Sequence, residues 1–214
     1  MRRVIMWRHG RTGWNAERRF QGQTDIHLDE VGHGQAARAA QMLAWMSPVA
    51  IVSSDLTRAQ QTAAPLSVAC GVEVHLDPRL RETFAGQWEG LTREELGADH
   101  AEEFARWSAG DNIRPGSNGE LRTEVAARVH EAVAEYAAQL PPDGTLVIVT
   151  HGGSARMGMG SLLGLPVDLW ACLGLLSNCS WSVLGENPGN SRVPWRLHEY
   201  NAGTLPQPAI GDDR

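Results

Sequence analysis

Two apolar runs in this chain end in the same way. Val4-Ile5-Met6-Trp7 stops at Arg8-His9-Gly10, and Leu146-Val147-Ile148-Val149-Thr150 stops at His151-Gly152-Gly153. A short apolar run cut off by polar residues and glycine predicts a buried strand, delivering its last side chains to the carboxyl edge of a sheet, where open α/β folds bind ligands. In a parallel sheet both carboxyl ends lie on one edge. His9 and His151 are therefore expected at one site although they are far apart in the chain. An imidazole there serves as acid, base, metal ligand or nucleophile, and an arginine beside it implies an anion, most naturally a phosphate, for its planar fork.

Between these strands the periodicity alternates. Helical spacing runs from Asp29 or Glu30 through Ala36, Ala39, Ala40 and Leu43 to Met46, and Ser47-Pro48 stops it. Val49 to Val52 reads as a strand. Ser53-Ser54-Asp55 then offers N-caps to a helix that carries Arg58 in its first turn and ends at Gly71. Val72 to Leu76 alternates like a short strand, and the link from Asp77 to Gly90 carries Arg79, Arg81, Glu82 and Trp88. Leu91 to Ala109 suggests one or two short helices. Asn118 is available to cap the helix expected over Glu120 to Leu140, which Pro141-Pro142-Asp143-Gly144 terminates. A helix from Ser154 to Leu163 and two antiparallel strands, Cys179 to Leu184 and Trp195 to Tyr200, complete the pattern. The expected architecture is a three-layer α/β/α sandwich with a mainly parallel sheet and an antiparallel edge. It forms one domain over residues 1–202, followed by a disordered tail from Gly203.

Composition narrows the chemistry. A formal charge of −6 gives no nucleic-acid footprint, and no apolar run approaches membrane-spanning length. Met1-Arg2-Arg3 precedes only four apolar residues, too few for a signal segment, and three cysteines at no metal or disulfide spacing suit a reducing compartment. A cytoplasmic location is expected, with no membrane partner. All 19 basic residues are arginine, which excludes a phosphate-binding P-loop and Schiff-base chemistry, both of which need lysine. Six positions after Cys70, Cys172 and Cys179 stand Leu76, Asn178 and Gly185, so the cysteine-phosphatase spacing to arginine is missing. There is no His-Glu-x-x-His helix and no recognisable metal triad, so no metal and no other cofactor are expected. The partner is then a small-molecule phosphate ester, and a homodimer is allowed.

Four elements resemble the histidine phosphatase superfamily, also called phosphoglycerate mutase-like. They are Arg8-His9-Gly10 with Thr12 and Asn15, the stretch from Ser54 to Ala63, Leu80-Arg81-Glu82, and His151-Gly152, in the family's order and over roughly residues 1–185. The resemblance implies that His9 attacks phosphorus and becomes phosphohistidine. Arg8, Arg58 and His151 would hold the equatorial oxygens, assisted by Asn15 and the Gly152 amide, and Glu82 would protonate the leaving oxygen. Physically, a nucleophilic imidazole must be neutral at the attacking nitrogen, and adjacent cations both favour that and offset the charge on the phosphoryl oxygens. These fixed cations would do the work of a metal. Glu82 must bring a proton when the ester is bound.

Single residues allow plainer readings. Arg58 alone reads as an exposed helix arginine, and Glu82 as an ion-pair partner of Arg79 or Arg81. Glu89, in Gln87-Trp88-Glu89-Gly90-Leu91-Thr92, is a second candidate for the acid and is expected to shape the rim. Arg11 stands where the family commonly has Gln or Glu. It is assigned to substrate binding, and either it or Arg18 is available for a carboxylate. Gly116-Ser117-Asn118-Gly119-Glu120-Leu121 replaces the usual Gly-Gly-Glu-Ser, so Glu120 lacks its partner serine and receives no catalytic role.

Within the family, the resemblance favours the phosphatase branch. Mutases carry a longer basic insertion between acid and second histidine; here the interval is short and holds Glu94, Glu95, Asp99, Glu102 and Glu103. The implied activity is hydrolysis of a phosphorylated glycerate or sugar ester. The alternatives are a phosphoglycerate mutase and a non-catalytic binder of phospho-ligands.

Overall fold

The computed structural model describes residues 1–189 and 193–203. Strand β1 (Arg3–Arg8) leads into one helical turn, α1 (Gly13–Ala16), and then α2 (Glu30–Ala44). Strand β2 (Ala50–Ser53), helix α3 (Thr57–Cys70) and strand β3 (Val74–Leu76) follow. Two 3₁₀ turns, Pro78–Leu80 and Gly86–Trp88, precede α4 (Arg93–Asp99), α5 (Ala101–Ala109) and the long α6 (Arg122–Ala138). Strand β4 (Thr145–Thr150) runs into α7 (Gly152–Leu162), and β5 (Trp181–Glu186) and β6 (Trp195–Ala202) follow. The tail expected to be disordered lies, from residue 204, outside the described residues.

The six strands form one sheet in the order β3-β2-β4-β1-β5-β6. β1, β2, β3 and β4 are mutually parallel, while β5 and β6 form the antiparallel edge. Both central strands are apolar on both faces, and alternation divides their side chains between two layers. Val4, Met6, Leu146 and Ile148 pack under α6 and α7, whereas Ile5, Trp7, Val147 and Val149 pack under α2 and α3. The three-layer sandwich follows from that division. Among the described residues no helix is long and apolar enough to cross a membrane.

A third apolar cluster stands apart from both layers. Phe20, Trp88, Phe104 and Trp107 meet edge to face at centroid distances of 5.4 to 6.1 Å, and Leu91 and Leu96 pack with them. This cluster seats α4 and α5 as a cap beside the carboxyl edge of the sheet.

Two expected helix caps are replaced. Ser54 and Asp55 do not cap α3, because Ser54 Oγ is engaged by His151 Nε2 at 2.9 Å and Asp55 is held by Arg81 at 2.6 and 2.7 Å. Asp25, from a distant loop, caps the helix by accepting from the Thr57 amide and hydroxyl at 2.8 and 2.7 Å. Asn118 sits in the turn over residues 115–119, where its amide donates to the Gly116 carbonyl, and α6 begins later. The Glu124 carboxylate accepts from the Leu121 amide at 2.9 Å instead.

Candidate active site

The register of the central strands builds the site. Arg8 of β1 stands beside Thr150 of β4, so the next residues, His9 and His151, are neighbours with ring centroids 5.1 Å apart. β2 pairs with β4 so that Ser53 meets Val149, which brings Ser54 and the start of α3 to the same edge. The His9 backbone is pinned on both sides: its amide donates to the Thr150 carbonyl, and its carbonyl accepts from Cys179 and from Asn178 Nδ2, both at 3.1 Å. Cys179 holds φ at +58°, a costly conformation for a residue with a Cβ. Gly10 is required by a close approach, since a Cβ there would lie 2.7 Å from the Gly32 carbonyl oxygen.

His9 is buried, and its Nδ1 lies 2.7 Å from the Gly10 carbonyl oxygen. A carbonyl only accepts, so Nδ1 carries the proton and Nε2 keeps its lone pair. Burial, then the Arg58 and Arg8 charges, hold the His9 pKa well below the ordinary histidine value, with the Gly10 carbonyl pulling weakly the other way. The ring is therefore a neutral base at physiological pH. His151 is similarly depressed by burial, Arg58 and His9.

Arg58 is fully buried rather than an exposed helix residue. Its Nε donates to His151 Nδ1 at 3.2 Å, and its terminal nitrogens donate to the Thr24 and Gly22 carbonyls at 2.8 and 2.7 Å. Burial lowers its pKa to about 10, which leaves it charged at neutral pH. Arg8, 5% exposed, donates to the Leu176 carbonyl. The Arg58 terminal nitrogens are oriented by neutral carbonyls, which do not cancel its charge.

Glu82 pairs with neither adjacent arginine. Arg79 is held by Asp77 and Glu135, and Arg81 by Asp55. Glu82 caps α7 instead: Oε1 accepts from the Thr83 and Ser154 amides at 2.8 and 3.0 Å, and Oε2 from the Gly153 amide at 3.0 Å. Gly153 is needed there, because a Cβ would lie 2.7 Å from Glu82 Oε1. The loop behind Glu82 is fixed by Arg128, which donates to the carbonyls of Arg79, Arg81 and Glu82 and pairs with Glu120 at 2.8 Å. Glu120 thus supports the Glu82 backbone without its family serine.

A cavity of about 400 Å³ opens on these groups, lined by Arg8, His9, Asn15, Arg58, Glu82 and Gly153 among others. His151 is buried behind this wall with both ring nitrogens engaged, by Arg58 and by Ser54. Gly152 lies against the Arg8 guanidinium, and its neighbour Gly153 forms the wall. Asn15 Oδ1 accepts from Thr12 and Asn178. Glu89 is a clamp rather than an acid: it accepts from Gln23, Thr24 and Ala85, fixing the loop whose carbonyls hold Arg58. Among the described residues no group of three histidine, cysteine or acidic side chains could hold a metal ion.

Arg11 departs from expectation. It forms an ion pair with Asp29 at 2.8 Å and is not part of the cavity wall, because the turn after Gly10 directs it to the start of α2. Replacing Arg11 by Ala is expected to leave kcat/KM for a phosphate ester within about threefold, as for a half-buried ion pair outside the cavity. A larger loss in folded protein would return Arg11 to substrate binding. The acidic stretch also differs from its sequence reading. Glu94, Glu95, Asp99 and Glu102 are exposed on the outside of the cap, while Arg18, Arg19, Arg93, Arg122 and Arg156 line the cavity. The mouth is cationic. Sequence reasoning missed Asn178, Trp107, Arg122 and Arg156, and in a chain whose basic residues are all arginine no local signal marked the last two.

The chain belongs to the histidine phosphatase superfamily (branch 1), whose profile matches residues 4–202. It is 42% identical over 212 residues to the glucosyl-3-phosphoglycerate phosphatase of Mycobacterium tuberculosis, covering 94% of this chain and 95% of that one. A probable phosphoglycerate mutase of Erwinia tasmaniensis is more distant, at 38% over 197 residues, with 91% and 88% covered. The solved structure of mycobacterial glucosyl-3-phosphoglycerate phosphatase with VO3 superposes with a TM-score of 0.89 at 42% identity, covering 95% of this chain and all of that one. A phosphoserine phosphatase mutant of Entamoeba histolytica, in complex with phosphoserine, superposes at 0.81 and 28% identity, with 94% and 98% covered.

Proposed function

We propose that the protein is a metal-independent phosphomonoester hydrolase working through a phosphohistidine on His9, with a phosphorylated glycerate or sugar ester such as glucosyl-3-phosphoglycerate as substrate. The observation that carries this reading is a buried, neutral His9 with a free Nε2 lone pair beside two charged arginines, opposite a carboxyl group on a helix end. His9 Nε2 attacks phosphorus, the ester P–O bond breaks, and the leaving oxygen takes a proton from Glu82. Oε2, with one amide donor against two on Oε1, is the oxygen better placed to carry that proton. Water then attacks the phosphohistidine, giving its proton to Glu82, and inorganic phosphate leaves. Arg8 and Arg58 gather the charge on the equatorial oxygens, and Asn15 and the Gly152 amide assist.

His151 enters this reading differently from the family expectation. Its Nδ1 accepts from Arg58 and its Nε2–H donates to Ser54, so in this arrangement it has no proton to offer a phosphoryl oxygen. Its role is to aim Arg58. Support for the hydrolase branch comes from the phosphatases among the relatives, since the cationic mouth removes the argument from charge. Free thiols at Cys70, Cys172 and Cys179 support a cytoplasmic location, and exposed apolar Trp45 and Val68 leave room for a homodimer.

The branch is tested by offering 3-phosphoglycerate to one preparation and measuring both inorganic phosphate and 2-phosphoglycerate. Phosphate release is expected to exceed isomerisation by at least about 100-fold, because water must outcompete a retained hydroxyl for the phosphohistidine. Faster isomerisation makes the protein a mutase; neither product from any phosphate ester leaves the binder.

A further inference from the structure

Beyond the reacting groups, the cavity continues to a wall formed by the end of α5, the start of α6 and the second turn of α7. Trp107, Ser108, Arg122 and Arg156 line it. Arg122 is 5% exposed, with its guanidinium 4.7 Å from the centroid of the Trp107 ring. It donates to the backbone carbonyls of Asp111, at 3.2 Å, and of Trp107. The Asp111 carboxylate is taken by Arg106 at 2.9 Å. The hydrogen bonds that hold Arg122 thus end on neutral oxygens, leaving a buried positive charge at a cavity surface.

Arg156 stands on the same face of α7 as Gly153, three residues earlier, so its side chain shares the wall with the Glu82-capped helix end. The Arg122 pKa is pulled down to about 10 by burial first and by repulsion from Arg156 next, which leaves Arg122 charged at neutral pH. Two cations on one cavity wall, one of them desolvated, attract an anion that enters the cavity. A tie between α5 and α6 alone would not require the second arginine.

We infer that Arg122 and Arg156 form a second anion subsite, which holds the carboxylate of a phosphate ester while its phosphoryl group lies at His9. The inference rests on the phosphatase reading and adds to it the group that recognises the glycerate end. The planar guanidinium fork suits a planar carboxylate, and the Trp107 ring 4.7 Å from the Arg122 guanidinium restrains it at the wall. The mouth arginines Arg18 and Arg19 are less suited: Arg18 is exposed, and Arg19 is paired with Glu17 at 2.7 Å.

The test compares 3-phosphoglycerate with glycerol 3-phosphate, which differ by a carboxylate in place of a hydroxymethyl. Wild-type kcat/KM is expected to favour 3-phosphoglycerate by about tenfold or more, as a charge-assisted pair predicts. Arg122→Gln and, separately, Arg156→Gln should each remove most of that preference through KM, leaving glycerol 3-phosphate within about threefold, and Arg122→Lys should restore part of it. Arg156→Gln keeps the test valid if loss of the α5–α6 tie unfolds the first variant. Equal losses for both esters in both variants, or no wild-type preference, overturn the subsite. If the wild type hydrolyses neither ester, the phosphatase reading has failed separately. Calorimetric titration of His9→Ala with the two esters then decides: tighter 3-phosphoglycerate binding that Arg122→Gln abolishes supports the subsite, and equal affinities overturn it.

Discussion

Replacing His9 by Ala is expected to reduce phosphate release by at least about 10⁴-fold while the protein stays folded, since a covalent nucleophile has no substitute within the site. His151, the other imidazole, sits 5.1 Å away but is buried with both nitrogens engaged, so it cannot take over the attack. The His9 ring contributes one side-chain hydrogen bond, to the Gly10 carbonyl, whereas the site's backbone is held independently by Thr150, Asn178 and Cys179. Folding should therefore survive the change. In the wild type, labelled substrate quenched under alkaline conditions should leave label on His9, because the phosphoramidate bond is lost in acid. Label on another residue, or turnover retained in His9→Ala, removes the covalent mechanism.

What the sequence made legible was the part governed by strand chemistry. Runs of β-branched and aliphatic residues ending in His-Gly locate β1 and β4, and once they are adjacent and parallel the two histidines must meet. The order of strands and loops brought Arg58 and Glu82 toward the same edge, but their environments are tertiary and were not legible. Burial of Arg58 depends on carbonyls at Gly22 and Thr24, and the capping role of Glu82 depends on α7, distant in the chain. Arg11 reads differently in the fold for the same reason: residue type announces a cation, but only the fold supplies Asp29 to occupy it. The character of the mouth was illegible in a stronger sense. Acid-rich α4 and α5 turn their carboxylates outward and leave Trp107 inward, so the charge of the segment and the charge of the surface it encloses have opposite signs.

The supporting residues show why the centre tolerates an altered motif. Glu89 and Glu120 are both acids near the site, and each is committed to several donors: Glu89 to the loop over residues 22–24, Glu120 to Arg128 and the Phe84 amide. Hydrogen bonds to a charged group contribute about 1.5–3 kcal/mol each, so breaking such a cluster would loosen the loop it holds. The first fixes the carbonyls that aim Arg58, and the second fixes the backbone of Glu82. The aiming of Arg58 and Glu82 is thereby delegated to residues behind them.

Arg58 joins these networks, and two substitutions separate its charge from its geometry. Arg58→Met is expected to lower kcat/KM by about 10³-fold, since it removes a preorganised cation from the phosphoryl oxygens. It also leaves the Gly22 and Thr24 carbonyls without these donors, at about 1–3 kcal/mol each where they remain dry, so the melting temperature should fall. Its pH signature has a definite sign. The Arg58 charge depresses the His9 pKa, second only to burial, and His9 must be neutral to attack. Removing the charge raises that pKa, and the acid limb of the kcat/KM profile should move to higher pH, though burial and Arg8 keep it below the ordinary histidine value. Arg58→Lys keeps a cation but replaces the fork with a single ammonium, which cannot serve His151, Gly22 and Thr24 together. Its kcat/KM should fall by about 10²-fold while the acid limb stays near the wild-type position. An acid limb that does not move in Arg58→Met would mean that Arg58 acts on the ester alone, and that burial with Arg8 suffices to keep His9 nucleophilic.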